Sequence, residues 1–117
     1  MAEFVNYWSG VGAWEAMPEE HRAGAIKTAA SVKQGFDVSF ALNTPLEAYT
    51  AINAPTLLVQ GSKTTLAARS IVQLLADALP QTQLVEIEGA GHMSVLTHRE
   101  VVANHIADHL SGLRQGD

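Results

Sequence analysis

The chain has 117 residues, 47% hydrophobic and 16% charged, and its seven basic and twelve acidic residues give a net charge of −5. This balance excludes a disordered chain, and without a cluster of basic residues we expect no nucleic-acid partner. The absence of cysteine excludes disulfides, zinc–thiolate sites and a cysteine nucleophile. We find neither a signal peptide nor an apolar run long enough to span a membrane, and so predict a cytoplasmic protein without membrane partners.

The N-terminal part of the chain is predicted to be helical, and it holds most of the aromatic residues. Pro18, with two acidic residues after it, is typical of a helix start, and Gly35 predicts where that helix ends. A second short helix is expected over 36–42. The Thr-Pro-Leu-Glu sequence of Thr44–Glu47 has the pattern of a capping box and predicts a third helix.

The C-terminal part alternates strands and helices. Residues 55–61 form a short apolar run between Pro and Gly, which predicts a strand buried on both faces. A helix over 66–79, which either Thr64 or Thr65 can cap, and a strand over 83–88 follow. Thr97–Glu100 has the pattern of a second capping box, and it opens a helix on which Val102, Ile106 and Leu110 share one face. This order predicts an α/β fold with two parallel strands and a right-handed crossover.

A histidine follows the second predicted strand, in the turn Gly89-Ala90-Gly91-His92. Catalytic groups of parallel α/β sheets gather at the carboxyl ends of the strands, and flanking glycines allow the sharp turn. An imidazole at such a position can act as a general base near neutral pH. A turn histidine with only a structural hydrogen bond fits the spacing equally well.

The wider pattern resembles the C-terminal end of an α/β-hydrolase: a "PTLLVQG" strand, a helix ending in "LP", a "GAGH" turn and a final amphipathic helix. The region before it, including Trp8, Trp14 and Thr44-Pro45-Leu46, resembles the helical cap of that family. The resemblance implies a cap-like segment over 1–53 and a β-α-β-α part of the hydrolase core over 54–117, with a helix on each sheet face. It implies that His92 is the catalytic histidine that completes a nucleophile–acid–histidine triad, and that Trp8, Trp14 and Met93 contact substrate. Core packing explains the two tryptophans at least as well.

The chain departs from the family pattern at two positions of the triad. None of its serines lies in a G-x-S-x-G elbow, so a nucleophile is missing. Many members carry Asp three residues after the strand-ending glycine, and here that position is Thr64. A histidine alone cannot carry out nucleophilic acyl transfer. The resemblance therefore implies the latter portion of a larger domain that hydrolyses an ester, lactone or similar bond and is inactive by itself.

Two weaker signals are discounted. Gly61–Thr64 lacks the Gly-Lys pair of a phosphate-binding loop. His105 and His109 lie one helical turn apart without a third ligand, which favours a solvated helix face over a metal site. We therefore expect neither a metal nor a cofactor.

An apolar parallel strand without its usual neighbour is a template for association. We expect a homo-oligomer, or a second chain that completes the sheet and allows a small-molecule substrate to react. The alternative function is a non-catalytic, self-associating domain that retains the hydrolase scaffold.

Overall fold

The computed structural model describes residues 1–114, which form two compact units that divide between Thr44 and Pro45. The division lies earlier in the chain than the boundary expected after residue 53. Unit 1 contains the helices α1 (Ala2–Ser9), α2 (Ala13–Ala16) and α3 (Glu19–Ala41). Unit 2 contains, in chain order, a 3₁₀ helix (Leu46–Ala51), β1 (Thr56–Gly61), α4 (Leu66–Ala78), β2 (Thr82–Ile87), α5 (Ser94–Thr97) and α6 (Arg99–Arg114).

An aromatic contact joins α1 to α3 in unit 1. The ring centroids of Phe4 on α1 and Phe36 on α3 lie 5.9 Å apart, edge to face, and Phe4 lies 6.2 Å from Trp8. The Phe4–Phe36 pair joins α1 to α3, and such a pair contributes about 1 kcal/mol beyond the burial of its area, whereas Phe4 and Trp8 are neighbours on α1 itself. Asn6 joins α1 to α2, because its Oδ1 accepts a hydrogen bond from the backbone N–H of Trp14 at 2.8 Å.

Helix α3 continues through Gly35 to Ala41, so the predicted stop at Gly35 and the separate helix over 36–42 were wrong. Gly35 has neither a positive φ nor a close neighbour, and a helical glycine costs only about 0.5–1 kcal/mol relative to alanine. Two side-chain interactions span it. The Lys33 and Asp37 side chains form an i,i+4 ion pair, and the Ser39 hydroxyl donates to the Gly35 carbonyl.

The sheet of unit 2 has two parallel strands, as the sequence predicted. Val59 pairs with Val85, and Gly61 pairs with Ile87, so the strands end level with each other. Successive side chains of a strand point to opposite faces. Val59, Val85 and Ile87 therefore share one face, where Val102 of α6 packs against them.

The other face of the sheet lies against α4, whose Arg69 side chain reaches Glu86. Helices α4 and α6 therefore cover opposite faces of the sheet, and the predicted helix on each face is confirmed. Only the first of the three residues predicted to share a face of α6 is buried: Val102 is 5% exposed, whereas Ile106 and Leu110 are about half exposed.

The helix caps agree with the sequence in only one of three cases. Thr65 caps α4, because its Oγ1 accepts a hydrogen bond from the Ala68 N–H at 3.2 Å. Pro45 is extended, so the 3₁₀ helix begins after it and its end has no side-chain cap. Thr97 is the last residue of α5, and the first hydrogen bond of α6 runs from the Val102 N–H to the His98 carbonyl, so α6 starts one residue later than the capping box predicted. Among residues 1–114, no helix is both long enough and apolar enough to cross a membrane.

Candidate active site

Two loops meet at the carboxyl edge of the sheet. One leaves β1 at Gly61 and leads into α4, and the other leaves β2 at Ile87 and leads into α5. The strands are parallel and end level with each other, so both loops start side by side. Gly89 has a φ of +76°, a left-handed conformation that favours glycine, and it turns the second loop back toward the first.

Three hydrogen bonds fasten the two loops together. The Ser62 N–H donates to the Ile87 carbonyl at 2.9 Å, and the Lys63 N–H donates to the Ala90 carbonyl at 2.9 Å. In return, the Gly89 N–H donates to the Ser62 hydroxyl oxygen at 2.8 Å. Two of these bonds join backbone to backbone and the third uses the Ser62 hydroxyl, and together they fix the separation of the loops.

Gly61 is required by this close approach. The residue is buried, and a Cβ placed on it would overlap the carbonyl oxygens of Ala90 and Gly91. Both obstacles are backbone atoms, which cannot rotate away as a side chain can. Ala90 is itself fully buried and belongs to the core cluster with Ile87 and Val102. The small residues of the "GAGH" turn and of the strand end thus allow one loop to lie directly on the other.

This arrangement brings His92 and Thr64 together. The Thr64 Oγ1 lies 3.5 Å from Nδ1 of His92, although the two residues are 28 positions apart. His92 is exposed and Thr64 is half-buried. A hydroxyl can either donate to Nδ1 or accept from it, so the tautomer decides the direction of this bond. Position 64, where many members of the resembled family carry Asp, therefore faces the histidine, but its threonine carries no charge.

A charged network that the sequence analysis missed lies behind the first loop. Arg69 donates through Nη2 to the Ser62 carbonyl at 2.7 Å, and its Nη1 lies 2.7 Å from Oε2 of Glu86. The Gln60 amide also donates to this carboxylate oxygen, at 3.0 Å. The available signals were Glu86 alternating with apolar residues on β2 and Arg69 one turn into α4. Neither signal shows that the two side chains meet.

The predicted substrate-contacting residues lie in both units. Trp8 on α1 and Trp14 on α2 are half-buried members of unit 1, and the Trp8 ring lies 5.0 Å from that of Tyr7, edge to face. Met93 follows His92 in unit 2 and is 38% exposed. Met93 and His92 therefore share the loop after β2, and the two tryptophans share the helical unit.

The described residues contain no group of three His, Cys, Asp or Glu side chains placed to hold a metal ion. His105 and His109 are both half-buried on α6. What the site offers chemically is an exposed imidazole with a neutral hydroxyl partner, at the sheet edge where parallel α/β proteins carry out their chemistry. An imidazole so placed can accept or return a proton.

Neither a protein-family model nor a curated protein sequence matches this chain. One similar solved structure is that of BpoC from Mycobacterium tuberculosis, a protein provisionally named a non-heme bromoperoxidase. The two chains superpose with a TM-score of 0.55 and 27% sequence identity, over 60% of this chain and 26% of the mycobacterial one. The match therefore spans about a quarter of that longer protein, which has an α/β-hydrolase fold. Together with the two-stranded parallel sheet, this similarity shows an α/β fold consistent with a partial α/β-hydrolase architecture.

Proposed function

We propose that this chain is the C-terminal, histidine-bearing portion of an α/β-hydrolase site, in which His92 is the catalytic general base. The reaction is hydrolysis of an ester, a lactone or a similar bond in a small molecule. His92 takes the proton from a nucleophile that the chain does not supply, since its sequence has no G-x-S-x-G elbow. The isolated chain is therefore inactive, and a second polypeptide carrying the elbow completes the site.

The observation that carries this proposal is the contact between Thr64 and His92. In a triad, a group beside one ring nitrogen orients the imidazole, while the other nitrogen faces the nucleophile. Thr64 Oγ1 lies 3.5 Å from Nδ1 of His92, and the two loops that hold these residues are fixed through their backbones. The hydroxyl can orient the ring, but it cannot stabilise an imidazolium by charge as a carboxylate does.

The proposed substrate contacts are Trp8, Trp14 and Met93. Met93 is supported by its exposure beside His92. The tryptophans are supported by the concentration of aromatic side chains on α1, α2 and α3, which suits an apolar substrate. The proposal includes no metal and no cofactor.

Hydrolysis of p-nitrophenyl esters tests the proposal. The purified chain is assayed alone and mixed with the N-terminal portion of an α/β-hydrolase that carries a G-x-S-x-G elbow. We expect activity only in the mixture, and we expect His92→Ala to lower it about 10²–10⁴-fold, the usual contribution of a general base. His21→Ala, which changes an exposed histidine of unit 1, is the matched control and leaves the rate unchanged. Activity that persists in His92→Ala would overturn the assignment.

The edge of β1 favours a second candidate, a non-catalytic domain that self-associates. Within residues 1–114, β2 is the one strand that pairs with β1. No charged residue and no proline interrupts β1 between Thr56 and Gly61, although these are common protections of an open edge. Inactivity in every mixture would favour this candidate.

Proline substitutions test self-association through this edge, because each removes the backbone N–H of one chosen residue of β1. Thr56 and Ser62 donate their N–H groups toward β2, to Gln81 and Ile87. Alternate residues of a parallel strand bond to opposite sides, so Leu57 directs its N–H to the other edge. Leu57→Pro removes a donor from the open edge alone, whereas Leu58→Pro removes one from the ladder with β2.

We expect the unmodified chain to sediment as an oligomer at micromolar concentration, and Leu57→Pro to sediment as a folded monomer. Leu58→Pro unfolds unit 2. A stable monomer of the unmodified chain would refute self-association.

A further inference from the structure

The Arg69 side chain connects three elements of unit 2. It projects from α4, donates to the Ser62 carbonyl in the loop after β1, and pairs with Glu86 on β2. Both of its contacts are 2.7 Å long, the distance of a charge-assisted hydrogen bond. The Gln60 amide, which donates to the same Glu86 oxygen, keeps that carboxylate in place.

This network contributes more by fixing the positions of its groups than by the attraction between its charges. The side chains of Arg69 and Glu86 are 40% and 42% exposed, and an ion pair at such a site contributes little to stability. A guanidinium, however, is a rigid planar fork whose two ends can bond two acceptors at once. Arg69 therefore holds the Ser62 carbonyl at a fixed position relative to β2 and α4. Lysine, with one charged centre on a flexible stem, cannot reproduce this arrangement.

Ser62 links Arg69 to the candidate site. It lies two residues before Thr64, and its own N–H and hydroxyl oxygen bond to Ile87 and Gly89. The Thr64 Oγ1 lies 3.5 Å from His92 Nδ1, which is at the outer limit of a hydrogen bond. A displacement of the Ser62–Thr64 segment by a few tenths of an ångström is therefore enough to break the contact.

We propose that Arg69 is a positioning residue for His92. By holding the Ser62 carbonyl it keeps the Thr64 hydroxyl within reach of Nδ1, and this contact sets the orientation of the imidazole. The catalytic use of that orientation rests on the proposed function, but the positioning itself does not.

Nitrogen-15 NMR of the His92 ring tests the proposal on the full chain without any substrate, because the chemical shift of Nδ1 reports the hydrogen bond that this nitrogen makes. We expect Thr64→Val, which removes the hydroxyl at nearly constant shape, to shift the Nδ1 signal. Arg69→Met is expected to shift it in the same direction by a similar amount. The double variant should match Thr64→Val alone, because both substitutions break the same contact.

Two further variants separate positioning from charge and from general destabilisation. Arg69→Lys retains the positive charge but not the fork, so it should resemble Arg69→Met. Lys33→Met removes the ion pair with Asp37 on α3, and it should leave the His92 signals unchanged. If Arg69→Met does not fold, Arg69→Lys alone decides the question.

Unchanged His92 signals in a folded Arg69 variant would overturn the proposal, and so would additive effects in the double variant. If the Arg69 and Thr64 variants change the His92 signals as expected, but no elbow-bearing partner makes the chain active, the proposed function is refuted and the positioning role of Arg69 stands.

Discussion

Gly61→Ala is predicted to destabilise unit 2 more than any other single methyl group added to the two loops. The new Cβ would overlap two backbone carbonyls, those of Ala90 and Gly91. Inserting an atom into such a packed site costs about 1–3 kcal/mol. The Ala90 carbonyl also accepts the Lys63 N–H at 2.9 Å, and losing that bond adds about 1 kcal/mol. We therefore expect the free energy of unfolding to fall by about 3 kcal/mol.

Urea unfolding followed by far-ultraviolet circular dichroism measures this difference. Gly91→Ala is the matched control, because it adds the same methyl group in the neighbouring loop, where no atom lies within 4 Å and φ is not positive. Its effect should stay within about 0.5 kcal/mol. If Gly61→Ala were as stable as Gly91→Ala, the loops would not lie directly against each other, and the contact between Thr64 and His92 would lose its structural basis.

Two further substitutions test the packing of unit 2. Val102→Ala removes two buried methyl groups from the core and should cost about 2 kcal/mol in urea unfolding, whereas Val101→Ala, at a 44% exposed site next to it, should cost less than about 0.5 kcal/mol. Equal losses would mean that α6 packs through another face. Thr65→Ala removes the acceptor of the Ala68 N–H and should lower stability by about 1 kcal/mol, while Thr28→Ala, which removes a hydroxyl within α3, should not lower it. An unchanged urea midpoint for Thr65→Ala would show that the cap contributes nothing.

Local sequence patterns predicted correctly the helices and strands whose formation depends only on residues adjacent in the chain. The run from Pro55 to Gly61 is short, apolar and bounded by a Pro and a Gly, and it forms β1 over Thr56–Gly61. Thr65 was one of two threonines able to cap the next helix, and it is the one that does so. The parallel pairing followed from the helix that joins the two strands.

The errors arose where two local signals compete or where a backbone angle decides. Gly35 is a frequent helix end, but nothing at that position requires a left-handed residue, and α3 passes through it. The pattern at Thr44–Glu47 suited a capping box, but Pro45 is extended with a ψ of 151°, so Thr44 lies outside the helix end. Both outcomes depend on the backbone of one residue, which the pattern does not specify.

The candidate site shows a different limit. His92 could be singled out because its neighbours in the chain are glycines at a strand end, and Thr64 because of its spacing from Gly61. Arg69 and Glu86 could not be paired in advance, since their 17-residue separation has no periodic relation to either the strand or the helix. Their meeting depends on the angle at which α4 crosses the sheet.

The most direct test of the central claim asks whether position 64 and His92 act together. Thr64→Asp places a carboxylate at the end of the loop that faces His92, close to the start of α4, where negative charge is favourable. Ester hydrolysis is measured in the mixture with the elbow-bearing N-terminal portion, for Thr64→Asp with and without His92→Ala. We predict that Thr64→Asp raises kcat/KM by about 10²–10⁴-fold when His92 is present and has no effect when it is absent. No increase beside His92, or an equal increase without it, would contradict the assignment of His92 as the catalytic base.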